Sequence, residues 1–435
     1  MLPIPAKIGT LGAEPSSGLR SKYAGTDNVN GWSEGEGWVM RNHKKSRAIL
    51  AAAVAIPLSV GLAACGDRQQ QSANDAKTAV AAGERLLQDN NLKGAEAQFR
   101  HAASLAPQDE TIHLRLARLY LKENEVNAAE AELIPLKQTS MQSEQYHAVL
   151  AEVMARQGKA VELLRDIPAG SRSPEVEAEI RSYRGFAELT LGHEANAKKM
   201  FADAEQLNPK SVMLRLGKAR MLETSDAAAA DRELDEALAV APKDSRVLDA
   251  KGEVALLRHD NAAAMKYFDM AVQEDSASVR ALLHRGNLHL NNGEFDAAEN
   301  DAAAALRVVR GNAGAVFLQG SIAIQKGDYA AADAIFTRLR RVMDRLPADA
   351  YLMAGMAKYH LNQAEQADTF LTKFVAKEHD KPVAYETLGA IALQRGDAKR
   401  AADMLAQAVK LDPKNAKASG LLRQARAELD KPQTR

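Results

Sequence analysis

Few residues in this chain are of a type and spacing that would support covalent or metal chemistry. Cys65 is the sole cysteine, so no intramolecular disulfide can form and no paired-cysteine metal site exists. His284 and His289 lie on neighbouring turns of one helical stretch, but at five residues apart they point to different faces. Carboxylates such as Glu130, Glu132, Asp231, Glu233, Asp235 and Glu236 are spread along outer faces of amphipathic segments, the pattern of a solvated surface. The sequence contains no nucleotide-binding glycine loop, no zinc-protease histidine pair and no nucleophile with a base and an orienting group. A noncatalytic protein is expected, without cofactor or metal. An enzyme would have to hide its chemistry in the irregular segment from Pro168 to Pro174, which carries no acid–base or nucleophile pair.

The elements that position these side chains follow one repeated pattern. Its clearest copy is residues 382–415, where a first helix carries Tyr385, Leu388, Gly389 and Ala392. A turn at Gly396-Asp397 follows, and a second helix carries Ala401, Leu405 and Ala408 before Asp412-Pro413. Gly389 and Ala401 let the two helices approach closely, and Leu388 and Leu405 fill the seam between them. Pro413 stops the second helix because it lacks an amide donor and clashes with the preceding turn. A unit this small cannot bury a core alone, so neighbours must stack.

The same register reappears upstream at Gly83, Ala95, Phe99, Ala102 and Pro107. It returns at Gly185, Ala197, Phe201, Ala204 and Pro209, and at Ala230, Leu234, Ala237 and Pro242. Later copies carry Gly252, Ala264, Phe268 and Ala271, then Gly286, Gly293 and Ala298. Gly320, Gly327, Ala332 and Phe336 mark the next, and Gly355, Ala367 and Leu371 the last before residues 382–415. Between the first and fourth copies the pattern weakens. Pro135 interrupts one second helix, and the register is irregular over residues 159–177. The turn inside each pair falls in order at Asn90, Asn124, Gly158, Gly192, Ser225, His259, Gly293, Gly327, Asn362 and Gly396. Nearly all are Gly or Asn, the residues that best tolerate positive φ. His259 reads as a strained turn residue rather than a ligand. Residues 416–430 form one more amphipathic helix, placed to cap the last apolar face.

These spacings resemble the tetratricopeptide repeat, a helix-turn-helix unit of about 34 residues. The resemblance implies an all-α fold, a right-handed superhelical solenoid of about ten helix pairs over residues 76–430. It also implies a concave groove lined by the first helix of each pair. Carried over position by position, the groove-facing residues include Arg215, Arg246, Asp249, Glu253, Arg280, Asn287, Asn291, Gln325, Glu386 and Gln394. Such a mixed polar groove can hydrogen-bond an extended peptide or a polymer. The clamp that some members use for a peptide carboxylate pairs Lys with Asn. Here Asn287 is present, but Leu283 stands where the lysine would be.

The N-terminal region has a different character. Residues 1–39 show no periodicity and read as an extension outside the working protein. From Met40, the cluster Arg41, Lys44, Lys45 and Arg47 precedes an apolar run over residues 48–62, which is too short to span a bilayer and suited to a signal-peptide core. It ends in Leu62-Ala63-Ala64-Cys65. This resembles the lipobox of bacterial lipoproteins, which implies cleavage before Cys65, lipidation of its thiol and stable membrane anchoring by several acyl chains. Gly66 after the cysteine implies the periplasmic face of the outer membrane. Residues 65–75 are expected to be a polar tether.

The whole chain carries 57 basic and 57 acidic side chains with only 5% aromatic residues, which suits a long helical array and gives no reason to expect a nucleic-acid partner. Lipobox and array together, with units such as residues 326–332, resemble the repeat lipoproteins of exopolysaccharide and PEP-CTERM sorting systems. The implied role is a scaffold for envelope proteins or peptides, with exopolysaccharide as a further ligand class. A pilotin or an outer-membrane assembly factor would carry the same anchor and repeats.

Overall fold

The computed structural model describes residues 59–89, 91–342 and 346–430. The described residues form 21 α-helices and one short 3-10 turn, with no strand. They belong to two compact units, which divide after Lys159. Residues 1–39 and most of the expected signal segment lie outside the described residues.

In the N-terminal unit, α1 (Ser59–Gln88) pairs with α2 (Leu92–Leu105), and α3 (Glu110–Lys122) pairs with α4 (Val126–Leu133). Here α5 (Glu144–Arg156) packs on both α3 and α4. Residues 65–75, expected to be a tether, are instead helical backbone continuous with the first repeat helix, and Ser72 donates to the Leu105 carbonyl at 2.9 Å. An amphipathic helix already nucleated at residues 76–88 extends backwards at low cost, because propagation fixes one residue per added hydrogen bond. The break at Pro135 takes the expected form: α4 ends after eight residues and a 3-10 turn, Pro135–Lys137, follows.

The second unit opens with the short α6 (Ala160–Asp166), which packs on α7 (Pro174–Thr190). Six helix pairs then follow. They are α7 with α8 (Glu194–Leu207), α9 (Val212–Leu222) with α10 (Ala227–Val240), and α11 (Ser245–Leu257) with α12 (Asn261–Glu274). The next is α13 (Val279–Asn291) with α14 (Phe295–Val308), then α15 (Ala313–Lys326) with α16 (Tyr329–Val342) and α17 (Ala348–His360) with α18 (Ala364–Val375). A further pair, α19 (Pro382–Gln394) with α20 (Ala398–Leu411), is covered by α21 (Ala416–Leu429), which buries Ala418, Leu422 and Ala425.

The irregular register is shorter than expected, because α7 already starts at Pro174 and includes residues 174–177 as its first turn. The buried Glu177 carboxylate stitches the preceding loop to it, accepting from the Gly170 amide and the Arg172 guanidinium, each at 2.8 Å. Arg184 donates to the carbonyls of Leu164 and Ile167 at 2.8 and 2.7 Å, satisfying the end of α6 that no regular turn caps.

Packing inside six of the pairs repeats one device. The aromatic or leucine of the second helix presses against the glycine of the first: Phe99 on Gly83, Phe201 on Gly185, Phe268 on Gly252, Phe336 on Gly320, Leu371 on Gly355 and Leu405 on Gly389. A methyl group on Gly252 would sit 2.3 Å from the Phe268 ring, so only glycine permits this approach. Phe268 is fully buried, which contributes about 1.5–3 kcal/mol.

The turns follow the predicted positions closely. Asn124, Gly158, Gly192, His259, Gly293, Gly327, Asn362 and Gly396 all have positive φ. Ser225 does not: its turn is one of right-handed conformation closed by the amide of Asp226 on the Leu222 carbonyl at 2.7 Å. Asn90 lies outside the described residues.

Candidate functional site

In both units first helices touch one another, as α3 touches α5 in the N-terminal unit. Within the second unit, α7 touches α9, α11 touches α13, and contact continues through α15, α17, α19 and α21. The second helices make their substantial contacts with first helices only. Close first helices and splayed second helices curve a stack toward the first-helix side, which makes that face the natural place for a ligand.

In the N-terminal unit this face holds a cavity of about 580 Å³ between α1, α3 and α5. Leu87, Leu114 and Leu119 supply apolar surface, while Arg115, Arg118 and Lys122 supply three cations along one face of α3. The acidic groups beside them are already engaged. Glu84 accepts from Arg115 Nε at 2.5 Å, and Glu110 accepts from the hydroxyls of Ser140 and Ser143. Arg118 donates to Gln145 at 2.6 Å and stays exposed, as does Lys122. None of the expected groove residues comes from this unit. The signal was present, since Arg115, Arg118 and Lys122 recur at helical spacing.

In the second unit the expected residues disperse. Arg215 turns toward the second helices, where Glu233 accepts from it at 2.6 Å and Glu236 lies at 2.8 Å. Burial opposes ionisation of Glu233, but Lys218 and Arg215 outweigh it and hold that carboxyl below the usual range. Arg246, at the start of α11, folds back on its own N-cap, Asp244, at 2.7 Å. Asn287 donates to the Leu283 carbonyl at 2.7 Å and leaves its buried Oδ1 without a hydrogen bond. Glu386 accepts from Asn415 and pairs with Lys417, each at 2.7 Å, so α21 closes over it. Asn291 and Gln394 are exposed at the ends of α13 and α19, and Gln325 is half-buried near the end of α15.

Three expected groove residues do converge, and a fourth joins them. Asp249 and Glu253 lie one turn apart on α11, and Arg280 of α13 reaches both carboxylates, with Nε 2.9 Å from Asp249 Oδ2. His284, one turn further along α13, sets Nδ1 2.8 Å from Asp249 Oδ1 and Nε2 3.4 Å from Glu253 Oε1. Burial would push the imidazole pKa down, yet the Asp249 carboxylate, followed by Glu253, holds it up. His284 and His289 are indeed separate, His289 pairing with Glu294 on its own turn. The ligand atoms of Asp249, Glu253 and His284 lie within 4.8 Å of one another. Spacing along the chain hides this set because its members come from neighbouring repeats.

Tetratricopeptide repeat families match residues 86–153, 283–350, 349–378 and 382–415. A protein described as a CTR9 homolog, from Arabidopsis thaliana, is 25% identical over 154 residues. That match covers 35% of this chain and spans only 14% of the relative. Solved structures of similar form include a tetratricopeptide repeat protein from Parabacteroides merdae, at 17% identity and a TM-score of 0.43, covering 57% of this chain and 98% of that one. Yeast Tom70 matches at 14% identity and 0.39, covering 82% and 89%. PilW, a type IV pilus biogenesis factor, matches at 19% and 0.43, covering 49% and 97%.

Proposed function

We propose that this tetratricopeptide-repeat chain is a noncatalytic, lipid-anchored scaffold of the bacterial cell envelope, gathering protein components of exopolysaccharide export or PEP-CTERM surface sorting. The observation that carries the scaffold reading is the cavity on the first-helix face of the N-terminal unit. Its leucines and exposed Arg118 and Lys122 suit a protein segment that presents apolar and acidic side chains together. The envelope location rests on the sequence, where a basic cluster, a short apolar run and Leu62-Ala63-Ala64-Cys65 follow in order. Cys65 is the lipid-bearing residue in this reading, and it holds the array at the periplasmic face of the outer membrane.

One experiment separates the parts. The full chain is expressed in a bacterial host with radiolabelled palmitate, fractionated, and used to capture partners from solubilised membranes. Expected results are label and membrane retention that disappear in Cys65→Ser, and capture of an export or sorting component that disappears in a combined Arg118→Glu and Lys122→Glu variant still anchored in the membrane. Labelling that survives Cys65→Ser overturns the anchor. Deletion that stops pilus or outer-membrane protein assembly and leaves polysaccharide intact replaces the export role with that of a pilotin or assembly factor.

A further inference from the structure

We propose that Asp249, Glu253 and His284 form a site for one divalent transition-metal ion of the zinc class, and that Arg280 is the side chain the ion displaces. Two carboxylates and one imidazole are a mixed oxygen–nitrogen set of the kind zinc accepts, with a fourth position left for solvent or a ligand group. Magnesium and calcium take oxygen ligands, so the imidazole favours a transition metal over either. The geometry is close to what binding needs. Ligand atoms about 2.1 Å from an ion in tetrahedral array are about 3.4 Å apart. Here one ligand atom from each of Asp249, Glu253 and His284 lies within 4.8 Å of the other two, with His284 Nδ1 2.8 Å from Asp249 Oδ1, so side-chain rotations would bring the set to that spacing.

A second observation points the same way. Asp249 is 1% exposed, and its Oδ2 accepts no well-formed hydrogen bond, although Arg280 Nε lies 2.9 Å away. A buried carboxylate oxygen in that condition is costly, and a metal ion would satisfy it. Arg280 pairs with both carboxylates but has half of its side chain exposed, which gives it a route out of the site. The ion's double charge matches the two carboxylates, and Arg280 would swing out toward solvent. This site stands independently of the scaffold reading, because ion binding is measured without any partner.

The test is a calorimetric titration of the chelator-stripped full chain with zinc chloride, and separately with magnesium chloride. One zinc per chain and no magnesium is expected. Asp249→Asn and His284→Gln should each weaken zinc binding by more than about 10-fold, the loss seen when even an outer partner of a ligand is removed. Arg280→Ala should tighten it several-fold, a change that a purely structural ion-pair cluster would not produce. His289→Gln and Cys65→Ser should leave it unchanged. Circular dichroism checks each fold, and Glu253→Gln replaces any variant that loses helix. Absence of stoichiometric zinc binding overturns the site, as does binding unaffected by His284→Gln or abolished by Cys65→Ser.

Discussion

Gly217→Ala measures how tightly neighbouring helix pairs are locked. A methyl group on Gly217 in α9 would lie 2.2 Å from Cε1 and 2.4 Å from Cζ of Phe201, far inside the ordinary carbon–carbon separation of about 3.5–4.0 Å. The ring cannot retreat. On its other side it presses so close to Gly185 that a methyl there would be 2.5 Å away, and Phe186 meets it edge-on with centroids 5.8 Å apart. Overpacking costs about 1–3 kcal/mol, and a ring caged on three sides puts this site near the upper end. Alanine returns about 1 kcal/mol of helix propensity, leaving a net loss of about 2 kcal/mol, a factor of about 30 in the opening constant. Gly420 in α21 meets nothing within 4 Å, so Gly420→Ala keeps only the propensity gain of about 1 kcal/mol. The same substitution should therefore have opposite signs at the two sites. Stacked repeats open as nearest-neighbour units rather than all at once, so native-state hydrogen exchange is the appropriate assay. Amides of α7 to α9 should exchange about 30-fold faster in Gly217→Ala, and those of α21 more slowly in Gly420→Ala. Adding Phe201→Leu to Gly217→Ala should recover part of the loss. Protection of α7 to α9 equal to or above that of the parent would refute the packing argument.

His259 holds a φ of 61° at its turn, a conformation that costs a non-glycine residue about 1–2 kcal/mol. His259→Gly should slow exchange in α11 and α12, and faster exchange would show that the imidazole compensates the strain. The carboxyls of Glu233 and Asp244 are held low in the folded chain: burial opposes this, but Lys218 and Arg215 prevail at Glu233, and Arg246 prevails at Asp244. A depressed folded pKa gives stability that is present above the unfolded value, about pH 4, and is lost as pH falls through the folded value. Glu233→Gln should accordingly flatten the acid limb of an unfolding titration followed by circular dichroism. An unchanged limb would mean that Glu233 does not contribute to it.

Much of the fold was legible because each repeat solves the same local problem. Glycine on the first helix and an aromatic or leucine on the second fix the close approach, and a residue tolerant of positive φ fixes the turn, as at Asn124, His259 and Asn362. Both requirements are local, so they leave a period in the sequence. Ser225 departs from it because the Asp226 amide reaches back to Leu222 and closes the turn without left-handed backbone. The helical backbone over residues 65–75 has a related reason: a segment joined to a stable helix extends it at low cost.

The sequence by itself determined the helical repeat and its turns. The tertiary structure alone decided which polar side chains meet. Asp249 and His284 are separated by one repeat, and no spacing rule within a helix relates them. Their contact depends on how α11 and α13 lie against each other, a packing angle set by buried side chains such as Leu248 and Leu282 elsewhere on the same helices. The same holds for Arg115, Arg118 and Lys122, whose stripe is visible in the chain but whose cavity exists only where α1, α3 and α5 come together.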